Sequence, residues 1–222
     1  MGVLVAGGTG ALGAAVVHEL LDAGHAIVAT WIVPEERERL ASLPVELVEA
    51  DLFDASAAKA AVAAVKDLDA VVDLVGGFKS GPRVHETDPD EFEGIIRLNL
   101  TPAFTLARAA MPRMMDRGGG AFVGVSARPA LRPFPGAAGY ITAKAAVLAF
   151  IRALDAEYRD HGIRCNAILP SVIDTPANRE AQPGADWSKW VPPEEVAKVV
   201  RFLVSDESGP TSGAAIPVYG RA

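Results

Sequence analysis

The chain has 222 residues, half of them apolar, and a formal net charge of −7. Because nucleic-acid binding needs clustered Lys and Arg, this acidic balance argues against nucleic acid as a main partner. The one Cys excludes an intrachain disulfide framework, and no apolar run reaches the ~18 residues of a membrane span. An N-terminus without the basic region of a signal peptide predicts a cytoplasmic protein with no membrane partner.

Short apolar runs alternate with longer Ala-rich segments along the chain. The runs predict strands over 3–6, 26–30, 45–50, 69–75, 121–125, 163–169 and 214–218. The segments between them predict helices over 11–23, 34–42, 55–66, 88–117, 136–160 and 192–205. This alternation predicts an α/β fold: a single-domain, Rossmann-type, doubly wound sheet of about seven parallel strands with helices on both faces, formed by residues 1–222.

Two segments depart from the regular pattern. Pro102 and Pro112 lie inside the long helical segment 88–117, where proline removes a backbone hydrogen bond, so we expect a bend or an interruption. Segment 171–191 contains Pro, Gly and polar residues with little periodicity. Because a loop of this length in a compact domain is usually functional, it is predicted to be a lid over the substrate.

The first predicted strand runs into "AGGTGALG", residues 6–13, and a helix follows. Glycines in such a turn let the backbone approach a pyrophosphate, whose charge then lies at the helix N-terminus. The strand–turn–helix context makes this pattern more specific than glycines alone. It predicts a dinucleotide-binding loop formed by Gly7, Thr9, Gly10, Ala11, Leu12 and Gly13.

The residues after the second and third strands are predicted to contact the adenosine of the dinucleotide. Asp51, next to Leu52, follows the third strand, where a carboxylate can accept a hydrogen bond from the adenine amino group. The carboxylate that normally binds the ribose 2′-hydroxyl is absent, because Trp31 and Ile32 stand at that place. Arg39 comes later and is expected on a solvated helix face. The sequence therefore leaves both NAD(H) and NADP(H) open as the cofactor.

Tyr140 and Lys144 are four residues apart, which places them on one face of the predicted helix 136–160. A phenol with a pKa near about 10 is a poor acid at neutral pH, and a neighbouring ammonium lowers that pKa by favouring the phenolate. The lysine can also hold the ribose of a dinucleotide. The pair therefore predicts proton transfer by Tyr140, beside a bound cofactor.

The segments "AGGTGALG", "DLVGG" (73–77), "RLNL" with Asn99, "YITAK" and "PSVIDTP" follow one another along the chain. Their order and spacing resemble the short-chain dehydrogenase/reductase family, over essentially the whole chain. The resemblance implies that Tyr140 transfers the substrate proton, Lys144 orients the ribose and tunes Tyr140, and Asn99 supports a water relay. It also implies that Thr175 binds the nicotinamide carboxamide. Further cofactor contacts are expected from Gly76, Gly77, Pro170 and Ile173.

The sequence departs from the family pattern at several places, two of which bear on the predicted site. Asp73 and Leu74 stand where the family has two Asn. The family Ser normally lies 13 residues before the Tyr, a position that Ala127 occupies, whereas Ser126 is one residue earlier. Since neighbouring residues of a strand point to opposite sides, Ser126 takes part in catalysis only if a one-residue loop insertion restores its register.

Within the family, the chain is most similar to the quinonoid dihydropteridine reductase branch, which works without that Ser. This similarity rests on "VLVAGGTGALG", "GGF", "PGAAGYITAKAAV" and the segment 169–195. It makes a quinonoid dihydropteridine, or a similar electron-poor ring, the first predicted substrate. Its predicted contacts are Phe78, Trp187 and Trp190. The alternatives are a ketone or 3-oxoacyl reductase that uses Ser126, or a dehydrogenase of the matching alcohol, and more remotely a non-catalytic dinucleotide-binding regulator.

The resemblance also implies assembly. In the family, the helices that correspond to 88–117 and 136–160 pair with their copies, so a homodimer or a homotetramer is expected. Helix 136–160 is apolar enough on two faces to contact both the core and a partner. The four His show no metal-ligand spacing, so no metal is predicted and the expected ligands are the cofactor and a small-molecule substrate.

Overall fold

A computed structural model describes residues 1–221 as one sheet and its surrounding helices. The strands are β1 (Gly2–Ala6), β2 (Ala26–Trp31), β3 (Glu46–Glu49), β4 (Leu68–Asp73), β5 (Gly120–Val125), β6 (Ile163–Pro170) and β7 (Ala215–Val218). The α-helices are α1 (Ala11–Asp22), α2 (Ala55–Ala64), α3 (Pro89–Arg117), α4 (Ala138–Tyr158), α5 (Pro176–Ala181) and α6 (Pro193–Val204).

The seven strands are all parallel and lie in the order β3-β2-β1-β4-β5-β6-β7. This arrangement confirms the predicted doubly wound α/β sheet. The chain crosses from one half of the sheet to the other between β1 and β4, where Ala6 is the register partner of Asp73. In open α/β sheets, ligands bind in the crevice at the carboxyl ends of the strands on either side of such a switch point.

Helices cover both faces of the sheet, and the alternation of side chains along each strand divides the core in two. On one face, Leu4 and Val71 pack with residues of α2, α3 and α4. On the other face, Val3 and Val5 pack with residues of α1 and α6. Strands buried on both faces need apolar residues at nearly every position, which explains the continuous apolar runs in the sequence. Within residues 1–221, no helix combines the length and apolar character required to cross a membrane.

Helix α3 runs without interruption through Pro102 and Pro112, so the predicted interruption is wrong, whereas the alternative of a bend stays a prediction. A proline inside a helix costs about 3 kcal/mol, and tertiary packing of α3 against α2 and α4 offsets this cost. Pro102 is itself buried. The Thr105 hydroxyl donates to the Leu52 carbonyl oxygen at 2.7 Å, which ties the helix to the loop after β3.

The segment 171–191 contains more regular structure than its sequence predicts. It holds helix α5, which begins after Thr175 because the Thr175 hydroxyl accepts a hydrogen bond from the Asn178 amide at 3.2 Å. A bridge between Ile173 and Val191 closes the two ends of the segment. The segment is therefore a compact loop that follows the carboxyl end of β6 and whose two ends pair with each other.

Candidate active site

The loop after β1 makes a tight turn that glycine allows. Gly7 has a φ angle of 71°, and a Cβ atom on Gly13 would lie 2.2 Å from the Gly7 carbonyl oxygen. A Cβ atom on Gly8 would lie 2.7 Å from that of Ala29. The Thr30 hydroxyl fixes the turn by accepting from the Gly7 amide at 2.9 Å. The loop therefore brings the start of α1 directly against the end of β1.

The first turn of α1 presents backbone amides to the crevice. The Ala14 amide donates to the Gly10 carbonyl oxygen at 2.8 Å, so the amides of Ala11, Leu12 and Gly13 precede the helical hydrogen bonds. Such amides, together with the positive end of the helix dipole, bind anions. The loop therefore fits the pyrophosphate of a dinucleotide.

A cleft of about 370 Å³ lies in front of this loop, along the ends of β1, β2, β3 and β4. The predicted residue Asp51 lies exposed on its rim, where its carboxylate accepts from the Phe53 amide at 3.0 Å. Leu52 and Gly76 line the same cleft. The structure therefore brings the glycine loop and three of the other predicted cofactor residues around one cavity, whose volume suits a small organic ligand.

The residues after β2 form a 3-10 helix, Pro34–Leu40, where an α-helix was expected. It carries Arg39 to the cleft rim, and the Arg39 guanidinium donates to the Thr9 carbonyl oxygen at 2.7 Å. Arg39 also pairs with Glu36 at 2.9 Å, and Glu36 lines the cleft. Arg39 is exposed, as expected, but its guanidinium contacts the glycine loop, because the tight 3-10 turn directs this side chain back to that loop.

Tyr140 and Lys144 lie on one face of α4, beside the end of β5. The Lys144 ammonium donates to the Val125 carbonyl oxygen at 2.9 Å and lies 6.0 Å from the centre of the Tyr140 ring. Lys144 is buried, whereas Tyr140 is half-buried and reaches the surface. The structure thus brings the two predicted catalytic side chains together.

Burial raises the pKa of Tyr140 to about 12. The sequence led us to expect a lowered pKa, but loss of solvent outweighs an ammonium that lies 6.0 Å from the ring centre. Tyr140 is therefore protonated at neutral pH. This is the form that can donate a proton to a substrate oxygen.

Asn99 uses its side chain to fix the turn after β4. Its amide nitrogen donates to the Ile95 and Gly77 carbonyl oxygens at 2.9 and 3.1 Å, and its oxygen accepts from the Gly77 amide at 3.2 Å. A Cβ atom on Gly76 would lie 2.5 Å from that oxygen and 3.1 Å from the Lys144 nitrogen. Asn99 therefore holds the Gly76–Gly77 turn beside Lys144, and its part in a water relay stays a prediction.

Ser126 does not face the cleft. Its side chain is 1% exposed, and its hydroxyl donates to the Lys144 backbone carbonyl oxygen at 2.7 Å. The Ser126 amide donates to the Ile168 carbonyl oxygen, which continues the pairing with β6. This geometry argues against the predicted catalytic role of Ser126, because its hydroxyl joins β5 to α4. Ala127 keeps the position that the spacing assigns to the family Ser.

Phe78 lies next to Tyr140, as its predicted substrate role requires. The two rings meet edge to face with their centroids 4.9 Å apart. Phe78 is nevertheless 57% exposed, so much of its ring is free for a ligand.

The loops around Tyr140 carry further exposed apolar side chains. The loop after β4 and the loop before α4 are joined by the Gly81 amide, which donates to the Gly136 carbonyl oxygen at 2.7 Å. We call the exposed large apolar side chains of these two loops the apolar mouth. It consists of Phe78, Val84, Leu131 and Phe134.

The two Trp of the segment 171–191 have different surroundings. Trp190 is 8% exposed and anchors the segment to the core, which argues against its predicted contact with substrate. Trp187 is half-buried, its ring centroid lies 6.4 Å from that of Trp190, and its indole nitrogen donates to the Gln182 carbonyl oxygen at 3.0 Å. The Arg179 guanidinium lies 4.7 Å from the centre of the Trp187 ring. Trp187 alone of the two is available to a ligand.

The predicted cofactor residues after β6 lie close together. Pro170 ends the strand, and the Asn178 side chain donates to the Ile173 carbonyl oxygen at 2.8 Å. Thr175, two residues after Ile173, caps α5. Their contacts with the nicotinamide stay predictions. Across residues 1–221, no group of three or more His, Cys, Asp or Glu is arranged to hold a metal ion.

Comparison with known proteins shows related sequences over nearly the whole chain. A family model described as enoyl-(acyl carrier protein) reductase matches residues 7–220. Acetoacetyl-CoA reductase of Rhizobium meliloti is 31% identical over 236 residues, covering 98% of this chain and 96% of the relative. The 3-oxoacyl-[acyl-carrier-protein] reductase MabA of Mycobacterium tuberculosis is 30% identical over 233 residues, covering 98% and 91%. 2-(R)-hydroxypropyl-CoM dehydrogenase of Xanthobacter autotrophicus is 29% identical over 240 residues, covering 98% and 96%.

Solved structures share the architecture. A short-chain dehydrogenase/reductase family protein superimposes with a TM-score of 0.91 at 27% identity, covering 98% of this chain and 95% of that chain. The NADP-bound structure of ElxO has a TM-score of 0.90 at 23% identity, covering 99% and 98%. At that identity, the second likeness supports the fold alone.

Proposed function

The chain belongs to the short-chain dehydrogenase/reductase family and is an NAD(P)-dependent oxidoreductase, and within this class we propose that it reduces a ketone of the 3-oxoacyl type. The ketoreductases among its relatives favour this reaction over the dihydropteridine reduction that the sequence suggested first. The observation that carries the proposal is the apolar mouth beside Tyr140.

An acyl substrate needs an apolar surface next to the proton donor. The four side chains of the apolar mouth are between 41% and 72% exposed, and Phe78 contacts the Tyr140 ring. Exposed apolar side chains grouped on neighbouring loops are typical of ligand sites. We place the ketone oxygen at the Tyr140 hydroxyl and the acyl chain along the mouth.

In this proposal, Tyr140 is the acid. A nicotinamide dinucleotide held in the cleft would supply the hydride for the carbonyl carbon. Tyr140 donates its proton to the carbonyl oxygen as negative charge develops there, which yields the alcohol and leaves a phenolate. The Lys144 ammonium stabilises that phenolate through its charge. Because Ser126 is turned away, the Tyr140 hydroxyl is the one predicted catalytic group left to polarise the carbonyl.

The residues of the cleft would hold the dinucleotide in one direction. The glycine loop and the first turn of α1 would bind the pyrophosphate, Lys144 the nicotinamide ribose, and Asp51 the adenine. Arg39 would then lie at the adenosine end. A guanidinium binds phosphate strongly, so the proposal includes a preference for NADP(H) over NAD(H).

Turnover with defined substrates tests the proposed function. The purified protein is assayed with acetoacetyl-CoA, simple ketones and quinonoid dihydropterin, each with NADPH and NADH. We expect the highest kcat/KM for acetoacetyl-CoA with NADPH. Removal of the proton donor in Tyr140→Phe should lower that value by about 10²–10⁴-fold. Full turnover by Tyr140→Phe would overturn the mechanism.

One observation favours a second candidate, the reduction of a quinonoid dihydropteridine. Ala127 stands in the family Ser position, and the hydroxyl of Ser126 donates to the Lys144 carbonyl oxygen. An electron-poor ring is already polarised and does not need that hydroxyl. Pterin turnover above ketone turnover in the unmodified protein would select this candidate.

A further inference from the structure

A buried carboxylate lies at the active centre and has no part in the proposed mechanism. Asp73 is 3% exposed and ends β4 at the switch point of the sheet. We propose that Asp73 is a positioning residue that holds the buried Lys144 ammonium in its charged form beside Tyr140. The inference deepens the proposed function and rests on it, since it assigns a partner to the lysine of that site.

Asp73 is fixed by its own strand end. Its neighbours in register are Ala6 on β1 and Gly124 on β5. One carboxylate oxygen accepts from the Val75 amide at 3.1 Å. This local hydrogen bond orients the carboxylate but would be made equally well by an Asn, which is the family residue at this place. The negative charge is therefore the property that Asp adds.

The Lys144 ammonium lies at the same strand junction. It donates at 2.9 Å to the carbonyl oxygen of Val125, one residue beyond the register partner of Asp73. On the other side, a Cβ atom on Gly76, three residues after Asp73, would lie 3.1 Å from the ammonium nitrogen. The ammonium is thus held between the ends of β4 and β5. Asp73 and Lys144 make no direct hydrogen bond in the described chain, so the carboxylate acts on the ammonium through space.

The other side chains around the ammonium are neutral. They are Tyr140 from α4 and Asn99 from α3. Within residues 1–221, Asp73 is the acidic residue whose charge acts on Lys144. Charges interact more strongly at such a site than in water, because solvent does not screen them.

The titration of both groups agrees with this arrangement. Burial lowers the pKa of Lys144 to about 8, and the charge of Asp73 opposes that decrease. Burial raises the pKa of Asp73 to about 7, and the Val75 amide and then Lys144 oppose that increase. Loss of the carboxylate would therefore lower the pKa of Lys144 further, and the ammonium would lose its proton closer to neutral pH.

The variant Asp73→Asn tests the inference because it keeps the acceptor for the Val75 amide and removes only the charge. The charged form of Lys144 is lost as pH rises through its pKa, so a lower pKa moves the alkaline limb of kcat/KM to lower pH. We expect turnover at pH 8, relative to that at pH 6.5, to fall by ~3–10-fold compared with the unmodified protein. An unchanged pH profile would overturn the proposal.

Asp69→Asn is the matched control. Asp69 lies on the same strand, but its carboxylate accepts from the Gly2 amide and pairs with Arg117 at the opposite end of the sheet. This variant should leave the pH profile unchanged. If Asp73→Asn does not fold, Asp73→Ser removes the same charge with a smaller side chain.

A measurement without cofactor or substrate separates this inference from the proposed function. The Lys144 ammonium is titrated by NMR in protein labelled with ¹³C at the lysine ε-carbon, with Lys144→Arg to assign the signal. We expect a lower titration midpoint in Asp73→Asn than in the unmodified protein and in Asp69→Asn. Equal midpoints refute the coupling, whatever the enzyme reduces. A lowered midpoint in a protein without ketone turnover would refute only the proposed reaction.

Discussion

Two hydrogen bonds join the end of β5 to Lys144 of α4 at the proposed catalytic centre. The Ser126 hydroxyl donates to the backbone carbonyl oxygen of Lys144, and the Lys144 ammonium donates to the carbonyl oxygen of Val125. One bond fixes the helix position from which the lysine starts, and the other fixes the ammonium at its end. The lysine is therefore held at both ends, which suits a group that must present its charge to Tyr140 and to a ribose.

This arrangement predicts that Ser126→Ala destabilises the protein more than it affects catalysis. Loss of one buried hydrogen bond should lower the free energy of unfolding by about 0.5–1.5 kcal/mol, measured by urea denaturation. We expect kcat/KM for acetoacetyl-CoA to stay within about threefold, because the hydroxyl does not reach the substrate. A loss of turnover like that of Tyr140→Phe, at unchanged stability, would instead place Ser126 among the catalytic residues.

The residues of the site differ in how readily the sequence reveals them. Tyr140 and Lys144 can be predicted because spacing along one helix places them together. The misplacement of Ser126 also follows from counting along the chain. By contrast, the contact between Arg39 and the glycine loop depends on a 3-10 turn, and the burial of Asp73 beside Lys144 depends on strand order. Such contacts join distant segments and leave no local pattern.

At the scale of elements, the 3-10 helix Pro34–Leu40 positions the charged side chains that we expect to determine the preference for NADPH over NADH. Arg39→Gln should lower kcat/KM with NADPH by about 10–100-fold, since a charge-assisted hydrogen bond contributes about 1.5–3 kcal/mol. The value with NADH should change by less than about threefold. The readout is the ratio of kcat/KM for the two cofactors.

Glu36→Gln is the matched control for the cofactor prediction. It removes the acidic partner of Arg39 without removing the guanidinium, so use of NADPH should persist. If Arg39→Gln lowered kcat/KM equally with both cofactors, Arg39 would support the glycine loop through Thr9 and would not discriminate between NADPH and NADH.

The elements themselves follow from the sequence wherever apolar periodicity is strong. The seven strands and the long helices α3 and α4 lie close to their predicted positions because their buried faces dictate the pattern. Helix α5 is not predicted from the sequence because it is only six residues long. The Thr175 cap and the bridge between Ile173 and Val191 determine where it forms. The continuity of α3 through its prolines is also a tertiary effect, since packing offsets a local penalty.

At the scale of the whole molecule, the outer faces of α3 and α4 carry an aromatic pair that the monomer leaves partly uncovered. Phe104 on α3 is 51% exposed, and its ring centroid lies 6.2 Å from that of Phe150 on α4. These are the two helices for which the family resemblance implies pairing with a second copy. An exposed aromatic pair gains free energy when a partner covers it, so this face is the expected dimer contact.

We therefore expect Phe104→Glu to shift the assembly towards monomer, because it would place a charge in an apolar contact. The mass in solution, measured by light scattering after gel filtration over a range of concentrations, reports the change. Phe202→Glu is the control, since Phe202 is 37% exposed on α6, away from both helices. A mass unchanged by Phe104→Glu, or an unmodified protein that is already monomeric, would remove α3 and α4 as the interface. Retained turnover in monomeric Phe104→Glu would show that one copy of the chain contains the complete site.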